Sequence, residues 1–291
     1  MSDHIFKSLE CQHHLSQWHE RFLMRVHTPI EHREITTSFG ASHVLLAGDS
    51  QKPPLVVLHG ALSGSAHALS ELQHLLSSFR LILPDIPGQS ARAPQIRLDA
   101  RTDAHARWLL EVFDGMGLER VTLCGISWGG FVALQTTMAA PARIDQLVLI
   151  VPAGIVSGSP WAGLKHAALP MAMYRMSSTE KNLRRFLNPL FTTWDDDWAN
   201  YMGDALKCFN LNLQPPPLAT EEKLRPFKAP TLVFGAENDI HFPGEKLITR
   251  AQVLMPHAKT ELLPGSHHVP PMTDEFRSWI SDRIIHFLES K

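Results

Sequence analysis

Between residues 54 and 263 the chain repeats a short, unbroken apolar run followed by a longer amphipathic stretch, and this rhythm restricts the fold more than any other feature. The runs are Pro54-Leu-Val-Val-Leu-His59, Arg80-Leu-Ile-Leu-Pro84, Val121-Thr-Leu-Cys124, Gln146-Leu-Val-Leu-Ile-Val151, Pro230-Thr-Leu-Val-Phe234 and Ala258-Lys-Thr-Glu-Leu-Leu263. Several lack polar alternation, as expected of strands buried on both faces of a parallel sheet. Helical patterns fill 66–78, 101–117, 128–140, 244–255 and 273–289. Upstream, 34–39 and 42–48 joined by Gly40-Ala41 read as a β-hairpin. Together these predict an α/β fold, a mostly parallel central sheet of about eight strands flanked by helices on both faces. Ligands of such sheets bind beyond the carboxyl ends of the strands, so chemistry is sought just after each run.

Two segments stand outside the rhythm. Residues 1–33 hold one amphipathic stretch, with Leu15, Trp18, Phe22 and Val26 at helical spacing, expected to pack on the outside of the core. From 153 to 228 there is no strand candidate, only helical pieces rich in Trp, Met and Phe, closed by Pro215-Pro-Pro217. A structureless loop of that length is improbable, so a helical cap inserted after the sixth strand is predicted. The expected organisation is a helical extension at 1–33, a core at 34–152 and 229–291, and a cap at 153–228.

Composition excludes several classes. With 27 Lys+Arg against 29 Asp+Glu, nothing pulls the whole chain toward nucleic acid or anionic lipid. Only 19% of residues are charged and 44% are hydrophobic, enough for a sizeable core. Cys11, Cys124 and Cys208 are too few and scattered for a disulfide framework or zinc cluster. The N-terminus lacks the basic and apolar regions of a secretory signal, and no run reaches the roughly 20 apolar residues of a membrane span. A cytoplasmic protein without stable membrane association is expected.

The chemistry centres on Gly125-Ile-Ser-Trp-Gly129, which follows the run at 121–124 and opens a helix. This is the G-x-S-x-G pattern of a nucleophile elbow in its confirming context, a strand-to-helix turn. Such a turn holds the serine in a strained backbone so that Oγ points into the site, and glycines remove Cβ atoms that would collide with strand and helix. The helix N-terminus sets free N–H groups and a positive dipole end beside Ser127. A serine hydroxyl needs a base held by a third group. Gly235-Ala-Glu-Asn-Asp239 after one later run and Pro264-Gly-Ser-His-His268 after another supply an acid and a histidine in the order Ser, acid, His.

With these motifs, the chain resembles the α/β-hydrolase superfamily of the capped carboxylesterase type, from about Glu34 to the C-terminus. His59-Gly60-Ala61 resembles that family's H-G-x oxyanion loop, and Asp85-Ile-Pro-Gly88 its D-x-x-G turn. The resemblance implies Ser127 as nucleophile, His268 as base and Asp239 as acid, with the backbone N–H groups of Ala61 and Trp128 as oxyanion hole. The family places its acid three residues after the strand-end glycine, where Asn238 stands here. Asp239 is favoured because Asp239-Ile-His-Phe-Pro243 matches the family's D-x-x-x-P; Glu237 is the rival and Asp145 a remoter option. His268 is chosen over His267 by alignment on Val269-Pro270, leaving His267 a surface or packing role. His59 is expected to orient the loop through a hydrogen bond. The implied substrate is a small or medium apolar carboxylic ester, without metal or cofactor, and the reading allows a homodimer.

Bland readings cover most other residues. The 17 histidines include no H-E-x-x-H pattern, and His4, His13, His14, His19, His27 and His32 near the N-terminus read as solvated. Of Trp161, Met171, Met173, Tyr174, Phe186, Phe191, Trp194, Trp198 and Phe209, most are expected to glue cap helices together. Leu62, Trp128, Trp161 and Met171 are the candidates for the substrate pocket. Cys124, inside a strand, reads as an inert core thiol. The same three residues could serve carbon–carbon, amide or peracid chemistry, and a non-catalytic ligand receptor on this fold is the reading from another class.

Overall fold

The computed structural model describes residues 4–212 and 214–290; residues 1–3, which entered the reading of the N-terminus, and Leu213 and Lys291 lie outside it. In chain order, helix α1 (Leu9–Leu23) precedes the hairpin β1 (Ile30–Thr37) and β2 (Gly40–Ala47). Then follow β3 (Pro54–Leu58), α2 (Ser65–Leu72), β4 (Arg80–Pro84), α3 (Ala104–Gly115), β5 (Val121–Ile126), α4 (Trp128–Ala139) and β6 (Ile144–Ile150). Between β6 and the next strand lie α5 (Pro160–Gly163), a π-helical turn (Leu164–Ala168), α6 (Leu169–Met176), α7 (Glu180–Leu187), α8 (Asp196–Cys208) and α9 (Glu221–Leu224). The chain closes with β7 (Thr231–Ala236), α10 (Gly244–Leu254), β8 (Lys259–Leu263) and α11 (Asp274–Glu289).

The eight strands form one sheet in the order β1-β2-β4-β3-β5-β6-β7-β8. β2 is antiparallel to both of its neighbours, and the pairs from β4 to β8 are parallel. Alternate residues of each central strand enter opposite cores. Val56 and Leu58 pack with Trp108 and Phe113 of α3, Phe131 of α4 and Leu247 of α10. Leu55 and Val57 pack with Leu69 and Leu72 of α2 and with Ile280 and Ile284 of α11. Burial on both faces is why these strands carry unbroken apolar runs.

The hairpin begins four residues before the expected position, at Ile30. Its first turn of sequence, Glu31-His-Arg-Glu34, is exposed at the sheet edge, so hydrophobic pattern gave it no signature. Among the described residues, the segment between β6 and β7 contributes no strand to the sheet. Its helices α6, α7 and α8 share their own cluster around Tyr174, Leu183, Leu187 and Leu206, with Met272 from the core.

Helix α1 docks on α8. Ser8 caps it, its side chain accepting from Cys11 N–H, and Leu15 and Phe22 bury against Tyr201, Ala205 and Phe209. Arg25, just past its C-terminus, holds Asp195 through two hydrogen bonds of 2.9 Å and Asp197 through one of 2.7 Å. Trp18 Nε1 donates to Asp204 at 3.0 Å. His19, expected to be solvated, is 2% exposed: it sits on the face that α1 turns inward, and burial pulls its pKa down to about 4.

Candidate active site

Ser127 sits between β5 and α4 with φ 51° and ψ −111°, a left-handed backbone that a side-chain-bearing residue adopts only under strain. The turn is nailed from several sides. Ser127 N–H donates to the Ile150 carbonyl at 2.9 Å, and the Ser127 carbonyl accepts from Phe131 and Ala153. A Cβ at Gly125 would strike the Gly129 carbonyl, one at Gly129 the Leu58 carbonyl, and one at Gly130 the side chain of Pro152. The elbow's glycines are therefore demanded by helix-on-strand contact.

Ser127 Oγ lies 2.9 Å from His268 Nε2, and His268 Nδ1 lies 2.7 Å from Asp239 Oδ2. Asp239 follows β7 and His268 follows β8, so three strand ends deliver the three groups to one place. The other Asp239 oxygen, Oδ1, accepts the N–H groups of His241 at 2.7 Å and Phe242 at 3.0 Å. Burial raises the Asp239 pKa, but the His268 charge, its hydrogen bond and the two backbone donors outweigh this and hold it below the usual carboxylate value. Burial likewise lowers His268, and Asp239 more than reverses it, leaving the imidazole above its ordinary 6.5. The rivals lie elsewhere. Glu237 is exposed and accepts Gly265 N–H at 2.7 Å; Asp145 pairs with Arg120 on the surface. His267 turns its N–H to Thr192 Oγ1 at 2.9 Å.

The loop at 60–63 approaches Ser127, with a Cβ at Gly60 placed 3.7 Å from that of Ser127. His59 Nδ1 and Ser63 Oγ donate to the Gly60 carbonyl at 2.8 and 2.9 Å, and His59 Nε2 accepts Ile86 N–H at 2.9 Å, which fixes the tautomer. The Gly60 carbonyl and Ala61 N–H share one peptide plane, so anchoring the carbonyl orients the N–H on the opposite side. Among the described residues neither Ala61 N–H nor Trp128 N–H donates to a protein acceptor. Asp85, invisible to solvent, supports the loop from beneath: it accepts Ser65 N–H and Oγ and lies 2.7 Å from His43 Nδ1.

A cavity of about 380 Å³ opens on these groups. Leu62 and Trp128, two of the pocket candidates named from the sequence, line it. Trp161 and Met171 do not. Trp161 is 80% exposed on the short α5, and Met171 is half-buried among α6, α7 and α8, away from the cavity. The walls instead come from Phe186, Leu190 and Phe191 around α7, Trp198 and Met202 of α8, and Met272, Phe276 and Ile280 toward α11. Neither Glu71 nor Arg277 was singled out in the sequence, yet both line the cavity, joined by bonds of 2.9 and 3.0 Å. His241, also unforeseen, stands edge-on to His268 with ring centres 5.4 Å apart; burial, with the His268 charge, pulls its pKa down to about 4. Its place two residues after Asp239 was the one available signal. Burial pushes the Cys124 thiol up to about 12, consistent with an inert core group.

A strained serine on a strand-to-helix turn, within a mostly parallel sheet of this order, defines a class of protein, and comparison with known proteins agrees. The family model described as alpha/beta hydrolase fold matches residues 53–208, and the chain belongs to that family. It is 27% identical over 271 residues to the uncharacterized carboxylesterase nap of Bacillus subtilis (strain 168), covering 88% of this chain and 86% of the relative. It is 30% identical over 209 residues to 2-hydroxy-6-oxononadienedioate/2-hydroxy-6-oxononatrienedioate hydrolase 2 of Pseudomonas putida, covering 65% of this chain and 72% of the relative. The crystal structure of naproxen esterase (carboxylesterase NP) from Bacillus subtilis shares the fold, with a TM-score of 0.82 at 22% identity over 97% of this chain and 100% of that one.

Proposed function

We propose that the protein is a carboxylesterase that cleaves small or medium, uncharged, largely apolar esters through an acyl-enzyme formed on Ser127. The observation that carries this reading is the unbroken line from Ser127 Oγ to His268 to Asp239, at 2.9 and 2.7 Å, on the floor of an apolar cavity. The likeness to a carboxylesterase over most of both chains supports the choice of bond.

In this mechanism His268 Nε2 takes the proton of Ser127 Oγ as the oxygen attacks the ester carbonyl, while Asp239 holds Nδ1–H and stabilises the imidazolium. The N–H groups of Ala61 and Trp128 receive the oxyanion. The protonated His268 then passes its proton to the leaving alkoxide, the carbon–oxygen bond breaks, and an acyl-Ser127 remains. Water, deprotonated by His268, attacks that acyl carbonyl, and collapse returns Ser127 with its proton and a carboxylic acid.

The cavity supports the substrate class. At about 380 Å³ it falls near the lower end of the roughly 300–1,000 Å³ typical of ligand pockets. Its carboxylate and guanidinium, Glu71 and Arg277, bond to each other and leave no net charge to recognise an anionic substrate. The helices between β6 and β7 act as a cap in this reading, since Phe186, Trp198 and Met202 close the cavity over the strand ends.

Ser127→Ala is expected to lower kcat/KM for 4-nitrophenyl butyrate by at least about 10⁴-fold, with the protein folded. Hydrolysis persisting at near wild-type rate would overturn the proposal.

A further inference from the structure

Leu62, next to the Ala61 donor, has φ 53°, a conformation that a residue with a Cβ holds only under strain. Side chains anchor three successive peptide planes around it. His59 and Ser63 hold the Gly60 carbonyl of the first. Gln89 Oε1 accepts Leu62 N–H of the second at 3.1 Å. The hydroxyl of Tyr201 donates to the Leu62 carbonyl of the third. The first two anchors belong to the core; Tyr201 belongs to α8, across the cavity boundary in the helical insertion.

Tyr201 has no freedom of its own. It is 2% exposed, and its ring meets His67 at 4.1 Å and stands edge-on to Trp18, Phe22 and Trp198. Trp18 and Phe22 come from α1, which grips α8 a second time through Arg25 on Asp195 and Asp197. Contact therefore runs continuously from α1 through α8 to the strained residue beside the proposed oxyanion donor.

We propose that Tyr201 is a positioning residue for the oxyanion hole, held in place by the N-terminal helix. It keeps Leu62 in its left-handed conformation and so keeps Ala61 N–H aimed at the developing oxyanion. Without the tether, the Leu62 carbonyl and its plane are released, Leu62 relaxes toward negative φ, and the strain falls on the Gln89 anchor and on the aim of Ala61 N–H. The inference rests on the esterase reading, and it makes α8 a fixed wall of the site whose docking state is read out in the chemical step.

The test uses butylboronic acid, whose tetrahedral adduct with a serine places a boron-bound oxygen in an oxyanion hole, alongside steady-state hydrolysis of 4-nitrophenyl butyrate. Tyr201→Phe keeps the ring and removes only the hydroxyl. It is expected to lower kcat about tenfold, raise the boronate Ki by a similar factor and leave KM within about twofold, because the lost contact acts in the transition state. Arg25→Met is expected to change the same quantities in the same direction by a smaller factor. Because Arg25 acts through Tyr201, the double variant is expected to be no worse than Tyr201→Phe alone. Unchanged kcat and boronate Ki in Tyr201→Phe, or losses that multiply in the double variant, would overturn the proposal. Wild-type boronate inhibition that survives Ser127→Ala would instead overturn the esterase reading.

Discussion

Asp239 divides its two oxygens between different tasks: Oδ1 is saturated by two backbone N–H groups, and Oδ2 is left for His268. This fixes the carboxylate plane and keeps it ionised, so Asp239→Asn is expected to lower kcat by about 10⁴-fold by presenting the wrong hydrogen-bonding face to Nδ1. Glu237→Gln is expected to change it less than twofold, since the exposed Glu237 carboxylate accepts Gly265 N–H, away from His268. Steady-state rates on one aryl ester distinguish the two carboxylates. The same pair sets the pH profile. His268 must be neutral to accept a proton, and its pKa is raised above 6.5, so kcat/KM should rise with pH through an inflection above that value. An inflection below 6.5 would contradict the assignment. The Ser127 elbow was legible in the sequence because its constraint is local: glycines, serine and flanking elements lie within a dozen residues. Tyr201 was not, because its partner Leu62 is 139 residues away and nothing in either neighbourhood encodes the meeting.

At the level of elements, the insertion is joined to the acid loop by more than chain connectivity. Gly158 N–H, on the way from β6 to α5, donates to the His241 carbonyl at 2.6 Å. A Cβ at Gly158 would run into the Ile240 carbonyl. Gly158→Ala must therefore push 240–242 outward and loosen the two N–H groups on Asp239. A fall in kcat of about tenfold, with KM less affected, is expected from a shift of this kind; an unchanged kcat would show that the loop absorbs the strain. Sheet strands and helices were legible because burial on both faces prints itself as apolar runs. Which face an insertion helix turns to the cavity was not. Trp161 and Met171 are as apolar as Phe186 and Met202, yet the latter pair lines the cavity, while Met171 packs among α6, α7 and α8 and Trp161 faces outward from α5.

Over the whole molecule, the histidine count acquires a meaning that the sequence did not give it. Buried His19 and His105 and half-buried His241 have pKa values lowered to about 4, and buried His67 is lowered well below its ordinary value. Each binds its proton more readily when unfolded, at about 6.5, so stability is full above that pH and is lost as pH falls from about 6.5 toward 4. Each histidine should contribute roughly 1 kcal/mol of loss per pH unit in that window. The thermal midpoint is therefore expected to drop steeply between pH 6.5 and 5, and His19→Phe, which cannot take up the proton, should reduce the slope; an identical slope would remove His19 from the account. The grip of α1 on α8 has one more consequence, for the order of assembly. Arg25 and Asp195 are 170 residues apart, so α1 leaves the ribosome long before its partner exists. Phe22 meets His67 of α2 early, with ring centres 4.2 Å apart, but Trp198 and Tyr201, which close over it, arrive only with α8. Helix α1 thus seats in two stages, first on α2 and then, once α8 is made, under Trp198 and Tyr201.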